Sequence, residues 1–140
     1  PICSDAPELE AEDLVEIVAV GADGAVRGRG RRAPSSETLT HAAVHGNATG
    51  PLAVFHGHAP ELWDGRPAPG WATTPPDAAN GTRALASAVG TAVREAPAQG
   101  ALVLLGHEDG ILLWARDFDV LFTELERAAA IVGAPAREHP

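Results

Sequence analysis

His56 and His58 stand one glycine apart in the run Ala53-Val54-Phe55-His56-Gly57-His58. Side chains in a strand alternate faces, so residues two apart point the same way. A strand ending in His-Gly-His therefore suits two ligands of one metal ion, and Gly57 leaves the space around them uncrowded. The alternative is a pair of solvent-facing histidines at a strand end. Leu102-Val103-Leu104-Leu105-Gly106 is a second apolar run, and it too leads to a histidine, His107. Three imidazoles at one sheet edge, with a further position left open, form the ligand set of a catalytic zinc ion. Glu37 closes the segment Pro34-Ser35-Ser36-Glu37, just ahead of the His-Gly-His strand. A carboxylate there is near enough in sequence to act as a general base beside the metal. Its plainer reading is a first-turn acid that stabilises its own helix.

The elements that must position these groups can be read from period and punctuation. Leu14 to Val20 is rich in β-branched residues, closes on Asp23-Gly24 and is answered by Ala25 to Gly28, which predicts a hairpin. Pro1 to Glu12 reads as a loop or short turn, and Gly28 to Ala33 as a charged connector. A helix is expected from about Ser36 to His45, with serine at its N-cap and an acid in its first turn. Ala59 to Asn80 is proline- and glycine-rich and reads as an ordered loop, with a short helix at Pro60 to Trp63. Leu85, Ala88, Val89, Ala92 and Val93 recur at helical spacing. Ala101 to Gly106 and Ile111 to Ala115 form two strands about the turn His107-Glu108-Asp109-Gly110. A final helix carries Phe118, Leu121, Phe122, Leu125, Ala129 and Val132 and stops at Gly133. Hairpin-paired strands with interspersed helices predict a mostly antiparallel sheet covered by helices.

These residues resemble the class II aldolase/adducin family, which includes the fuculose-phosphate and rhamnulose-phosphate aldolases and ribulose-phosphate 4-epimerase. The resemblance rests on P-S-S-E at Pro34 to Glu37, the helix with His41, and A-V-F-H-G-H at Ala53 to His58. It continues through G-T-R-A-L-A at Gly81 to Ala86 and L-L-G-H-E-D-G-I-L-L-W at Leu104 to Trp114. The resemblance implies an α/β fold, a three-layer α/β/α sandwich with a mostly antiparallel central sheet, formed by residues 1–140 as one domain. It implies zinc, or another divalent ion, held by His56, His58 and His107, with Glu37 as the acid/base that moves the proton at carbon. Ser35 and Ser36 would contact a substrate phosphate, in keeping with the affinity of a helix start for anions; their plainer role is capping.

The implied activity is that of a metal-dependent aldehyde-lyase or epimerase, acting on a small hydroxy-carbonyl substrate through a metal-stabilised enediolate. The family also implies a homo-oligomer, a tetramer. Two other readings belong to the same superfamily: a non-catalytic adducin-like binding or structural module, and a decarboxylase or dehydratase. Family members usually carry an N-terminal helix and a G-N-x-S segment ahead of the point where this chain begins. Their T-P-S-G turn falls at Pro1 to Ser4, where Ile2, Cys3 and Ser4 stand instead. Half of the phosphate cradle is thus expected to be absent from residues 1–140.

Composition bounds the partners. The 140 residues are 45% hydrophobic and carry 10 basic and 19 acidic side chains, a net charge of −9. That balance argues against nucleic-acid and anionic-membrane surfaces; a small-molecule substrate is what the family resemblance implies. Arg27, Arg29, Arg31 and Arg32 do cluster, and read as a solvated hairpin end or a subunit contact. One cysteine, Cys3, permits no internal disulfide and fits a reducing compartment. No apolar run approaches the ~20 residues of a membrane span, so a cytoplasmic location is expected. His41 and His45 lie four apart on a helix but lack the glutamate of a zinc protease at position 42, and read as one packing and one surface histidine. Trp63, Trp71 and Trp114 read as core or interface residues.

Overall fold

The computed structural model describes residues 10–50, 52–63 and 68–133, the last three by backbone alone. The expectations for Pro1 to Leu9, including the Pro1 to Ser4 turn, lie outside these residues, as do Pro51, the side chain of Val132 and part of the loop at 64–67. A short 3₁₀ turn at Ala11–Asp13 leads into the hairpin β1 (Glu16–Val20) and β2 (Val26–Arg29). The hairpin is as predicted, although its first strand begins two residues after Leu14. The arginines at its end are exposed, and three are paired with acids: Arg29 with Glu16, Arg31 with Glu12 and Arg32 with Asp13.

Helix α1 (Thr38–Asn47) follows, then β3 (Ala53–His58), the short α2 (Pro60–Trp63) and β4 (Ala72–Thr73). The second half contains α3 (Arg83–Glu95), β5 (Gly100–Val103), β6 (Gly110–Ala115) and α4 (Phe118–Gly133). Thr82 caps α3, its hydroxyl accepting from the Leu85 N–H at 3.3 Å.

The fold is mixed α/β with two sheets. β1 and β2 form a two-stranded sheet of their own, and the larger sheet has the order β3-β6-β5-β4. The expectation of one mostly antiparallel sheet is met in part. β3–β6 and β6–β5 are antiparallel, but β4 pairs with β5 in parallel, so the four-stranded sheet is mixed. β4 lies inside the segment read as a loop. A two-residue strand defined by a distant partner leaves no periodicity in its own sequence.

The core lies on both faces of the larger sheet. β6 is buried along its whole length, as its unbroken apolar run requires of a central strand. Ala101, Val103, Ile111 and Leu113 point to one face and pack with Leu62, Trp71, Leu121 and Ala128 of the α2/α4 side. Leu102, Leu104, Leu112 and Trp114 point to the other and pack with Val44 of α1 and Leu85, Val89 and Val93 of α3. All three tryptophans serve packing, and each indole N–H is satisfied. Trp63 donates to the Leu104 carbonyl, Trp71 to Glu124 Oε1 and Trp114 to the Ala96 carbonyl, at 2.8–2.9 Å.

Candidate metal centre

His56 pairs with Leu112 and His58 with Gly110 across β3–β6. Directly paired residues share a face, so both imidazoles stand on the side of the sheet that carries α1 and α3. The turn between β5 and β6 brings His107 to the same edge. Its backbone is fixed by His107 N–H to the Leu104 carbonyl at 2.9 Å, Gly110 N–H to the His107 carbonyl at 2.8 Å and Leu104 N–H to the Gly110 carbonyl at 2.8 Å. Asp109 adopts φ 59°, a left-handed conformation that Asp tolerates better than most residues, and its carbonyl accepts from Ala59 N–H at 2.8 Å. The turn is thereby tied to the end of β3. A Cβ at Gly110 would lie 2.9 Å from His107 Cγ, so only glycine leaves the third imidazole its place.

The three histidines converge as the sequence predicts. One nitrogen from each lies within 4.8 Å of the others, and the ring centroids are 5.3 Å (His56–His58), 4.9 Å (His56–His107) and 4.8 Å (His58–His107) apart. Nitrogens this close to one another would suit three ligands of one divalent ion. Burial is the main force lowering the pKa of His56 to about 4, opposed by Glu37 and reinforced by the neighbouring imidazoles. His56 is therefore neutral near pH 7, the form whose lone pair binds metal.

Glu37 faces this cluster from the start of α1. It is the N-cap residue, yet its side chain makes no capping bond. The expectation of a serine N-cap is corrected accordingly. Ser35 Oγ instead accepts from the Glu37 N–H at 3.2 Å, and Thr38 Oγ1 donates to the Ser35 carbonyl at 2.7 Å. These bonds shape the entry to the helix and turn Glu37 inward, where it is 2% exposed. Its Oε2 accepts from Thr40 Oγ1 at 2.8 Å, and its Oε1 lies 3.8 Å from His107 Nδ1. The surface reading of Glu37 as a helix-start acid does not describe this geometry. Ser35 and Ser36 are exposed beside it. His41 is half-buried and His45 exposed, in line with the reading of one packing and one surface histidine, and burial followed by the neighbouring His45 lowers the pKa of His41.

The donor set fits a divalent cation. Among the described residues, the buried side-chain polar atoms without a hydrogen-bond partner are Glu37 Oε1, His56 Nε2 and His107 Nδ1, all in this one cluster. An unpaired buried polar atom typically costs about 1–3 kcal/mol, and three together around imidazole and carboxylate are what a cation would satisfy. Sequence reasoning missed Thr40, the partner of Glu37. Its signal was available, since Thr40 lies three residues from Glu37 and four from Val44 and so falls on the inward stripe of the helix.

No described helix is long and apolar enough to cross a membrane. Neither the curated proteins nor the solved structures contain a match to this chain. A family model does match: residues 1–63, a stretch that holds Glu37, His56 and His58 but stops short of His107, are similar to the Class II Aldolase and Adducin N-terminal domain.

Proposed function

We propose that this protein is a metal-dependent lyase of the class II aldolase type, acting on a small hydroxy-carbonyl compound. The observation that supports it most directly is the convergence of His56, His58 and His107, with the buried Glu37 carboxylate 3.8 Å from the third histidine. The three histidines come from a matched segment and from an unmatched one, and their proximity supports a shared role. A divalent ion such as zinc, when bound, would stabilise negative charge developing on the substrate's carbonyl and hydroxyl oxygens.

The remaining chemistry falls to the chain's own side chains. His56, His58 and His107 would hold the ion, and Glu37 Oε1 would hold or move the proton at the substrate carbon. Ser35 and Ser36, exposed at the start of α1, are the groups this reading assigns to an anionic end of the substrate. In the same reading the four-stranded sheet, with α1 and α3 on one face and α2 and α4 on the other, corresponds to the family's α/β/α sandwich. A homo-oligomer, tetrameric as in the family, is in keeping with the exposed Leu14, Ile17, Val18 and Val20 on and beside β1.

The test is metal analysis of the purified protein, then a screen of ketose phosphates and unphosphorylated hydroxy-ketones. One equivalent of divalent metal and turnover, both lost in His56→Ala, are expected. Metal without turnover on any such compound would favour a binding module of the adducin kind. Absence of metal affinity would end the reading.

A further inference from the structure

We infer that Thr40 is a positioning residue that clamps Glu37 against the histidine cluster; the inference rests on the reading of Glu37 as the proton-transfer group. Thr40 is fully buried on α1, and its hydroxyl donates to Glu37 Oε2 at 2.8 Å. A threonine further along a helix commonly turns its hydroxyl back to the carbonyl four residues earlier, but Thr40 stands in the first turn of α1, where that residue, Ser36, precedes the helix. Thr91 and Thr123 make the usual bond, to the carbonyls of Ser87 at 3.1 Å and Asp119 at 2.8 Å. Thr40 instead directs its only donor at a side chain.

The consequence for Glu37 is specific. Its carboxyl group is buried and makes no side-chain capping bond to the backbone. With Oε2 bonded to Thr40, rotation about the last side-chain bond is restrained, and Oε1 is left without a partner at 3.8 Å from His107 Nδ1. Without the hydroxyl, both oxygens of a buried carboxylate would lack donors, and the group would turn away to find them. The carboxylate on the N-cap residue and the group that aims it, in the first turn of α1, thus lie three residues apart at one helix start.

The test compares Thr40→Val, which keeps shape and removes the hydroxyl, with Thr40→Ser, which keeps the hydroxyl. Crystal structures of the metal-free variants, zinc stoichiometry and steady-state turnover are the readouts. In Thr40→Val, Glu37 Oε1 should leave its approach to His107 Nδ1 while zinc still binds. Its kcat should fall roughly tenfold with KM little changed, the pattern of an interaction used in the reaction step. Serine should restore both the Glu37 position and kcat. Glu37 unmoved in Thr40→Val would overturn the inference, and so would a Thr40→Ser variant as impaired as Thr40→Val, which would indicate packing. If the valine variant does not fold, Thr40→Ala set against Thr40→Ser decides by the same readouts. If the wild-type protein turns over no hydroxy-carbonyl compound, the lyase reading fails, while the crystallographic comparison still decides on the clamp.

Discussion

Gly106→Ala is the substitution whose effect the geometry defines most sharply. A Cβ at residue 106 would lie 2.1 Å from the Ala78 carbonyl oxygen and 2.5 Å from its carbon. Reaching even 3.0 Å from that oxygen requires a separation of about 0.9 Å between two backbone segments. Neither segment is free to give. Ala78 is 4% exposed in the core, and the same loop is anchored by Thr74, which donates its N–H to the Val103 carbonyl at 3.0 Å and accepts from Leu105 N–H at 3.1 Å. Overpacking of this kind costs about 1–3 kcal/mol. At ~2.1 cal/mol/K per residue the whole chain unfolds with an entropy of about 0.3 kcal/mol/K, so Tm should fall by roughly 3–10 °C. His107 is the next residue, so the third ligand should shift with the turn and zinc affinity should drop by about tenfold or more, the scale of a disturbed ligand support. Differential scanning calorimetry of the metal-free protein and a zinc titration measure the two effects. Gly46→Ala is the control: it lies in α1 with nothing within 4 Å of its Cβ, and should be neutral or slightly stabilising. A Gly106→Ala protein that melts and binds zinc like wild type would refute the reasoning.

Glu37→Gln keeps the size of the side chain but cannot exchange the proton, so zinc binding and fold should persist while turnover falls by about 10²-fold or more. Full activity in this variant beside an inactive His56→Ala would move the proton transfer to another group, with Glu108 and Asp109 the nearest in sequence. The lowered pKa of His56 fixes the sign of a pH effect. Between its ordinary value of 6.5 and about 4 the unfolded chain binds the proton and the folded chain does not. Stability of the metal-free protein should therefore be level above about pH 6.5 and decline as pH falls toward 4, and the decline should be shallower in His56→Gln; an identical urea-midpoint profile in the two would contradict this. Sedimentation at micromolar concentration should show an oligomer, and a monomer would count against the proposed assembly.

Much of the site was legible because its parts obey short-range rules. The period of two in a strand puts His56 and His58 on one face, and the turn sequence at His107 to Gly110 places the third imidazole between two apolar strands. Glu37 was legible as a residue type in a motif but not as a buried one, because Pro34-Ser35-Ser36-Glu37 also satisfies the pattern of a capped helix start. What turns it inward is the bond between Ser35 Oγ and the Glu37 N–H, a detail of conformation rather than of pattern. The parallel pairing of β4 with β5 and the separation of the hairpin from the larger sheet depend on contacts between residues far apart in sequence. Local periodicity carries no record of those. Gly106 shows the same limit, since its need for glycine comes from Ala78 across the fold.

The independence of the β1–β2 hairpin has a bearing on how the molecule breathes. No residue of either strand is buried, and a bulge interrupts their register between Ile17 and Ala19. A two-stranded ribbon of this kind is marginal by itself, so its amides are held by little more than their own ladder and exposed ion pairs. The groups of the histidine cluster belong to α1, β3 and the β5–β6 turn, none of which takes strand pairing from the hairpin. Opening of the ribbon is thus a sub-global event that leaves the cluster assembled. Amide exchange should rank the two regions far apart, fast along Glu16–Val20 and slow along the fully buried β6.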